Sequence, residues 1–365
     1  MKNNNNEENS LIQVGSDSIV RVGNSIEITN KILAEYHEKI SRVKIKGKLK
    51  WKFKTEDSVF AAPTIFNDVV YFGCLEGNLY AVNSNSGKLI WKFKADDYVN
   101  STPLIMNDGV YFGSGDSVYA IDRFSGQLKW KFNTEYTVYA IDFTPKIMND
   151  IIYFGSCDKY FYALDLQTGN LKWKFKTNGS VFPSPIFIND NVCFSSDEGY
   201  LYALEGLTGK LIWKSEIENN CYSGPVIVNG VIYLGSQNLY AIDSQSGELK
   251  WKFELELDEV VSSKLVISDN FIYFGCQDGV LYSIDSKSGE LKWTFEIYEE
   301  LWSSPIIMNG VVYLVIGDLY AIDSQSGILK WKYELEQGVN GIHSTPSIKN
   351  GVVYFGSENY LYAIE

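Results

Sequence analysis

The sequence predicts an all-β chain, an eight-bladed β-propeller of four-stranded antiparallel blades, on three observations. First, one phrase keeps returning: AVNSNSGKLIW, AIDRFSGQLKW, ALDLQTGNLKW, ALEGLTGKLIW, AIDSQSGELKW, SIDSKSGELKW and AIDSQSGILKW, with a truncated copy, KIKGKLKW. Second, these copies put eight of the nine tryptophans (Trp51, Trp91, Trp130, Trp173, Trp213, Trp251, Trp293 and Trp331) at one repeat position, 40, 39, 43, 40, 38, 42 and 38 residues apart. A period near 40 residues is the range of propeller blades. Third, the last copy stops at LYAIE, one strand short, while Lys48–Lys54 reads as a fourth strand with no third strand before it. Pairing those two completes the eighth blade and removes two open edges.

Each repeat parses into four strands. In the second copy these are STPLIMN (Ser101–Asn107), VYFGS (Val110–Ser114), SVYAID (Ser117–Asp122) and QLKWKFN (Gln127–Asn133). Period-two alternation between Asn-Asp, Asn-Gly and Ser-Gly punctuation is the pattern of antiparallel hairpins. The repeated Trp, on the outermost strand, is expected to lie across the gap to the next blade, burying on the order of 200 Å². Its flanking lysines keep the rim strand from pairing edge to edge.

The organisation expected is a polar leader at residues 1–10, a small appendage at 11–46, and the propeller at 47–365. The appendage matches no repeat. LIQV, SIVRV and SIEI read as two or three short strands, and a helix is predicted from Thr29 or Asn30 to about Ile40.

Composition narrows the function classes. A net charge of −13 argues against nucleic acid or an anionic membrane as partner. MKNNNNEENS has no apolar signal-peptide region, and no run of 18 apolar residues occurs, so a cytoplasmic location is expected. Only Arg21, Arg42 and Arg123 are arginines, which with the Asn- and Ile-rich wording fits an AT-rich bacterial genome. The five cysteines (Cys74, Cys157, Cys193, Cys221, Cys276) form no CxxC and are expected to be reduced and buried. His37 and His343 are isolated, and no HExxH, GxSxG or P-loop is present. Catalysis is therefore not expected, nor is a bound cofactor or metal.

The repeated A-[IVL]-[DNE]-x-x-[ST]-G-x-L-x-W resembles the tryptophan-docking repeat of the PQQ-like, quinoprotein-type β-propellers over residues 47–365. That resemblance implies the fold. The superfamily spans quinoprotein dehydrogenases and non-enzymatic eight-bladed proteins such as the BamB lipoprotein. The dehydrogenases use a vicinal cysteine pair and a metal site with a catalytic Asp; this chain has no Cys-Cys and its repeats leave no room for the insertions around a quinone.

Function is instead expected on the face where the chain varies. Turns between strands one and two, and three and four, are short and nearly alike. Segments linking one blade to the next are long and varied, among them ADDYVNSTP, NTEYTVYAIDFTP, EIENNCYSGP, ELDEVVSSK and EIYEELWSSP. They would present Asp96, Asp97, Asp258, Glu259, Glu299 and Glu300 interleaved with Tyr98, Tyr136, Tyr139, Tyr222 and Trp302, an acidic rim with aromatics that suits a basic or amphipathic protein partner. Two alternatives come from other classes. Residues 11–46 would couple the ring to an effector in a bacterial signalling or defence complex, or the central channel would bind a small molecule or sugar. The innermost strands are apolar, with Lys146, Lys264 and Lys349 as polar exceptions.

Overall fold

The computed structural model describes residues 11–14, 17–20, 48–135, 144–181, 184–217, 223–256, 259–297, 300–334, 344–357 and 359–365. Eight four-stranded antiparallel sheets follow one another as blades. Blade one runs Thr64–Phe66, Val69–Gly73, Asn78–Asn83 and Leu89–Lys94, and the next six repeat that order. Blade eight takes Ser347–Lys349, Val352–Ser357 and Tyr360–Ile364 from the C-terminal end and Leu49–Lys54 from the N-terminal side. Trp51 there lies opposite Ala363 and Lys54 opposite Tyr360. Lys48 and Glu365 exchange both backbone hydrogen bonds, at 2.9 and 2.8 Å.

A separate hairpin pairs Leu11–Val14 with Asp17–Val20. The helix expected at 29–40 lies outside the described residues, as do the expected strand SIEI and His37. Among the described residues no helix is long and apolar enough to cross a membrane.

The short turns follow from residue type. Asn67 and Asp68 both take positive φ, 44° and 62°, as do Asn149 and Asp150 at 51° and 56°. That is the backbone of a two-residue hairpin turn, which Asn, Asp and Gly tolerate best. In the [ND]-x-x-[ST]-G turn the leading acid caps the loop. The Asp122 carboxylate accepts from the N–H groups of Phe124 and Ser125 at 3.1 and 2.8 Å, and Asp165, Asp243, Asp285 and Asp323 do the same in their blades.

The core sits between blades rather than at the centre. One cluster joins Tyr354, Leu361 and Ala363 of blade eight to Val70, Phe72 and Tyr80 of blade one. Comparable clusters fill the gaps around the ring. The tryptophans staple these gaps on their outer side. Trp51, Trp91, Trp130, Trp173 and Trp293 donate their indole N–H to carbonyls of Ser84, Arg123, Leu166, Gly206 and Ser324 in the following blade, at 2.9 to 3.0 Å. The Gly of each SG or TG turn lies flat on the indole from the preceding blade. A Cβ on Gly169, at φ 70°, would stand 2.7 Å from the Trp130 ring.

Candidate functional site

The face that varies is built from two kinds of segment, and backbone hydrogen bonds hold them together. In blade six, Gln277 of the second-to-third turn donates to Val260 of the incoming loop at 3.1 Å, while Leu301 of the outgoing loop donates to Cys276 at 3.3 Å. In blade one, Leu75 donates to Ser58 and Val99 donates to Cys74, at 3.0 and 3.1 Å. Each turn is thus clamped between two interblade loops. The clamp needs a glycine where the outgoing loop crosses the second strand: a Cβ on Gly275 would lie 2.6 Å from the Leu301 side chain.

A motif not singled out in the sequence organises this face. In blades one, three, four and six an acid in the turn sits four residues before a third-strand tyrosine, as Glu76–Tyr80, Asp158–Tyr162, Glu198–Tyr202 and Asp278–Tyr282. In every case the tyrosine hydroxyl donates to the carboxylate. The rings are held by stacking on the phenylalanine opposite them, Phe72 on Tyr80 at 5.2 Å and Phe274 on Tyr282 at 5.3 Å. Burial raises the pKa of these phenols, and the nearby carboxylates raise it further. Asp278, more enclosed, is itself raised by burial, against hydrogen bonds from Val280 and Tyr282. Blades two, five and seven have shorter turns, so the spacing is lost. Tyr119 instead accepts the backbone N–H of Asp96 at 3.3 Å. The signal was present as [DE]-x-x-x-Y in EGNLY, DKYFY, EGYLY and DGVLY.

These pairs change the meaning of the acidic rim, since part of it is committed to the scaffold. Lysines commit more of it. Lys131 pairs with Asp96, and one blade on, Lys174 pairs with Glu135. The Lys131 hydrogen bond holds the Asp96 carboxyl below the usual range, yet both pairs are exposed and contribute little to stability.

Of the residues expected to form a partner surface, the structure describes Asp96, Asp97, Tyr98, Glu259, Glu300 and Trp302; Tyr136, Tyr139, Tyr222, Asp258 and Glu299 lie outside the described residues, as do His343 and Cys221. They fall into two groups. Asp96, Asp97 and Tyr98 occupy the loop from blade one to blade two, where the Asp97 carboxylate accepts the Tyr98 N–H at 2.8 Å. Glu259 lies on the loop from blade five to six, and Glu300 and Trp302 on the loop from six to seven. Ser262 ties these last two loops by donating to the Leu301 carbonyl at 2.6 Å. Trp302 is 38% exposed and donates its indole N–H to Glu300 at 2.8 Å.

Among the described residues no group of three or more His, Cys, Asp and Glu could hold a metal ion. Cys74, Cys157, Cys193 and Cys276 are free thiols, and burial pushes Cys193 and Cys276 far up, away from the reactive thiolate. A pocket of about 250 Å³ opens on the opposite face at the seam between blades eight and one, lined by Lys50, Asp68, Ser84, Lys349, Tyr354 and Glu365 among others. The Leu of each G-x-L-x-W copy is exposed on blades one to six, from 41% at Leu211 to 58% at Leu249. Spread one or two to a blade, such residues are ordinary surface.

The family model described as the beta-propeller of the beta-alanine-activating enzyme matches residues 34–314. The chain belongs to that beta-propeller family. Among solved structures it is similar to BamB from Moraxella catarrhalis, at 15% identity and a TM-score of 0.72 over 88% of this chain and 98% of that one. It is likewise similar to the computationally designed Ika8 protein, at 15% identity and a TM-score of 0.74 over 87% and 99% of the two chains. Quinohemoprotein alcohol dehydrogenase from Comamonas testosteroni aligns at 14% identity and a TM-score of 0.71, over 87% of this chain and 76% of that one. No curated protein matches the sequence. At these identities the structural likeness speaks to the fold.

Proposed function

We propose that the chain is a non-catalytic protein-interaction scaffold, and that the face carrying the interblade loops seats a protein partner. Trp302 carries this reading. It is the one tryptophan outside the docking position, it stands half out of the surface, and it is oriented by Glu300 on a loop tied to its neighbour through Ser262 and Leu301. An amphipathic ring held on a rigid loop beside carboxylates is a typical anchor for a basic or amphipathic segment. The repeats beneath it act as uniform support, their own acids satisfied by tyrosine and lysine. In this reading the scaffold is cytoplasmic and neither a membrane nor nucleic acid is its partner.

Affinity purification of the full chain from its host tests the proposal. Trp302→Ala is expected to lose the partner while leaving the fold intact, and Asp97→Lys to weaken it less. Equal recovery of every partner by wild type and Trp302→Ala would refute the assignment of this face. A second reading, an adaptor working through residues 11–46, draws on the hairpin Leu11–Val14 with Asp17–Val20, which belongs to no blade. Crosslinking of the purified complex separates the two. Crosslinks confined to Lys31, Lys39 and Lys44 favour the adaptor, and crosslinks to blades six and seven favour the loop face.

A further inference from the structure

The innermost strands are the free inner edges of their sheets and surround the axis of the ring. With the two residues leading into each, they read APTIF, TPLIM, TPKIM, SPIFI, GPVIV, KLVIS, SPIIM and TPSIK. No Asp or Glu occurs in any of the eight. Three lysines do, in a chain whose net charge is −13. Lys349, at one end of its strand, lines the seam pocket beside Asp68 and Glu365. The other two are different. Lys146 lies on the inner strand of blade three and Lys264 just before that of blade six, close enough for the charge of one to act on the other. Burial lowers the Lys146 ammonium, and the charge of Lys264 lowers it further.

Hydroxyl groups around the axis divide into two sets. The Lys264 N–H donates to Ser304 Oγ at 2.9 Å, and the Ser304 N–H donates to Thr345 Oγ1 at 3.2 Å, so in blades seven and eight the hydroxyl at this repeat position joins one inner strand to the next. The equivalent hydroxyls of Thr144 and Ser184, in blades three and four, have no hydrogen-bond partner among the described residues. Thr144 is only 8% exposed and stands two residues before Lys146. Buried hydroxyls are ordinarily satisfied, so an idle hydroxyl two residues from a lysine that has no ion pair among the described residues marks a place where acceptors are missing.

We infer that the ring axis binds a small oxyanion, a phosphate or carboxylate group, between Lys146 and Lys264, with the hydroxyls of Thr144 and Ser184 as its neutral donors. An anion there removes the repulsion between two like charges held in apolar surroundings and satisfies both hydroxyls at once. Thr144 and Lys264 close interblade segments, so the site lies at the end of the axis toward the loop face, and it does not draw on Trp302.

Isothermal titration calorimetry on the full chain at low ionic strength tests this, using inorganic phosphate and, separately, succinate. At least one probe is expected to bind saturably. Lys146→Met and Lys264→Met should each weaken it at least about tenfold, the scale of a charge-assisted contact. Thr144→Val should weaken it by less, and Lys349→Met, at the other pocket, should leave it unchanged. Lys146→Arg keeps the charge in place and should retain binding, which guards against a loss that merely reflects misfolding. Saturation by phosphate alone or by succinate alone identifies the group recognised. No saturable heat from either probe at millimolar concentration overturns the inference, and so does unchanged affinity in both Lys146→Met and Lys264→Met.

Discussion

Trp130 on the outermost strand of blade two donates its indole N–H to the carbonyl of Leu166 in blade three, across 36 residues of sequence, at 3.0 Å. The same indole lies against Gly169, so one side chain fixes both the spacing and the angle between two blades. Stability in this ring is a sum of such neighbour terms, because each blade meets only the next.

Gly169→Ala tests that contact directly. The added Cβ would lie 2.7 Å from the indole at φ 70°, whereas at Gly351, φ 78°, nothing lies within 4 Å. Both changes carry the cost of a positive φ, about 1 kcal/mol, and Gly169→Ala should lose about 1–3 kcal/mol more through displacement of the tryptophan. Urea unfolding of the two variants should rank them in that order. Equal midpoints would show that the indole moves aside freely.

Trp130→Phe and Trp302→Ala should separate scaffold from surface. Loss of the buried indole bond and its packing is expected to cost about 2–4 kcal/mol. The exposed Trp302 should change stability by no more than about 0.5 kcal/mol. Thermal melts of both variants provide the comparison, and a strongly destabilised Trp302→Ala would assign that ring to the fold.

Acid sensitivity should come from the turn aspartates. Backbone N–H groups, with Lys250, hold Asp243 down at about 2, and Lys330 with the turn donors holds Asp323 at about 2. A folded pKa below the unfolded one gives stability that is present above about pH 4 and is lost as pH falls toward 2. Asp323→Asn should therefore flatten the fall in melting temperature between pH 4 and pH 2, read from melts along a pH series. A fall as steep as that of wild type would assign the loss to other groups.

Asp278 carries the opposite sign. Burial raises its folded pKa, so its contribution is present below the unfolded pKa and is lost as pH rises through the folded one. Asp278→Asn keeps an acceptor for the Val280 N–H and removes the enclosed charge. It should match or exceed wild-type stability at pH 7, whereas Tyr282→Phe, which strips a donor from the carboxylate, should be less stable by about 1–3 kcal/mol. Denaturant unfolding at pH 7 decides, and a destabilised Asp278→Asn would mean that the charge itself holds the turn.

Much of this was legible in the residues. The period of the tryptophans, the turn residues and the alternation define blades because each is a local rule: hairpin turns require positive φ, and strands facing two neighbours require apolar residues on both sides. The candidate face was legible only as a list. Sequence places Asp96 and Asp97 beside Glu259, Glu300 and Trp302 as one acidic rim, but the ring sets the first pair apart on another loop. It also neutralises Asp96 with Lys131, which is 35 residues away in the chain.

The sequence by itself determined the repeat and the number of blades, through a period that recurs along the chain, and the hydrogen-bonded turns, which depend on residues within a few positions of one another. Tertiary structure alone decided which acids are committed to Tyr80, Tyr162, Tyr202 and Tyr282, which loops Ser262 and Leu301 tie together, and that the charge of Lys264 reaches Lys146. Those relations depend on where curvature brings distant blades, and closure of the ring is set by the packing of all eight interfaces together, which no single repeat encodes.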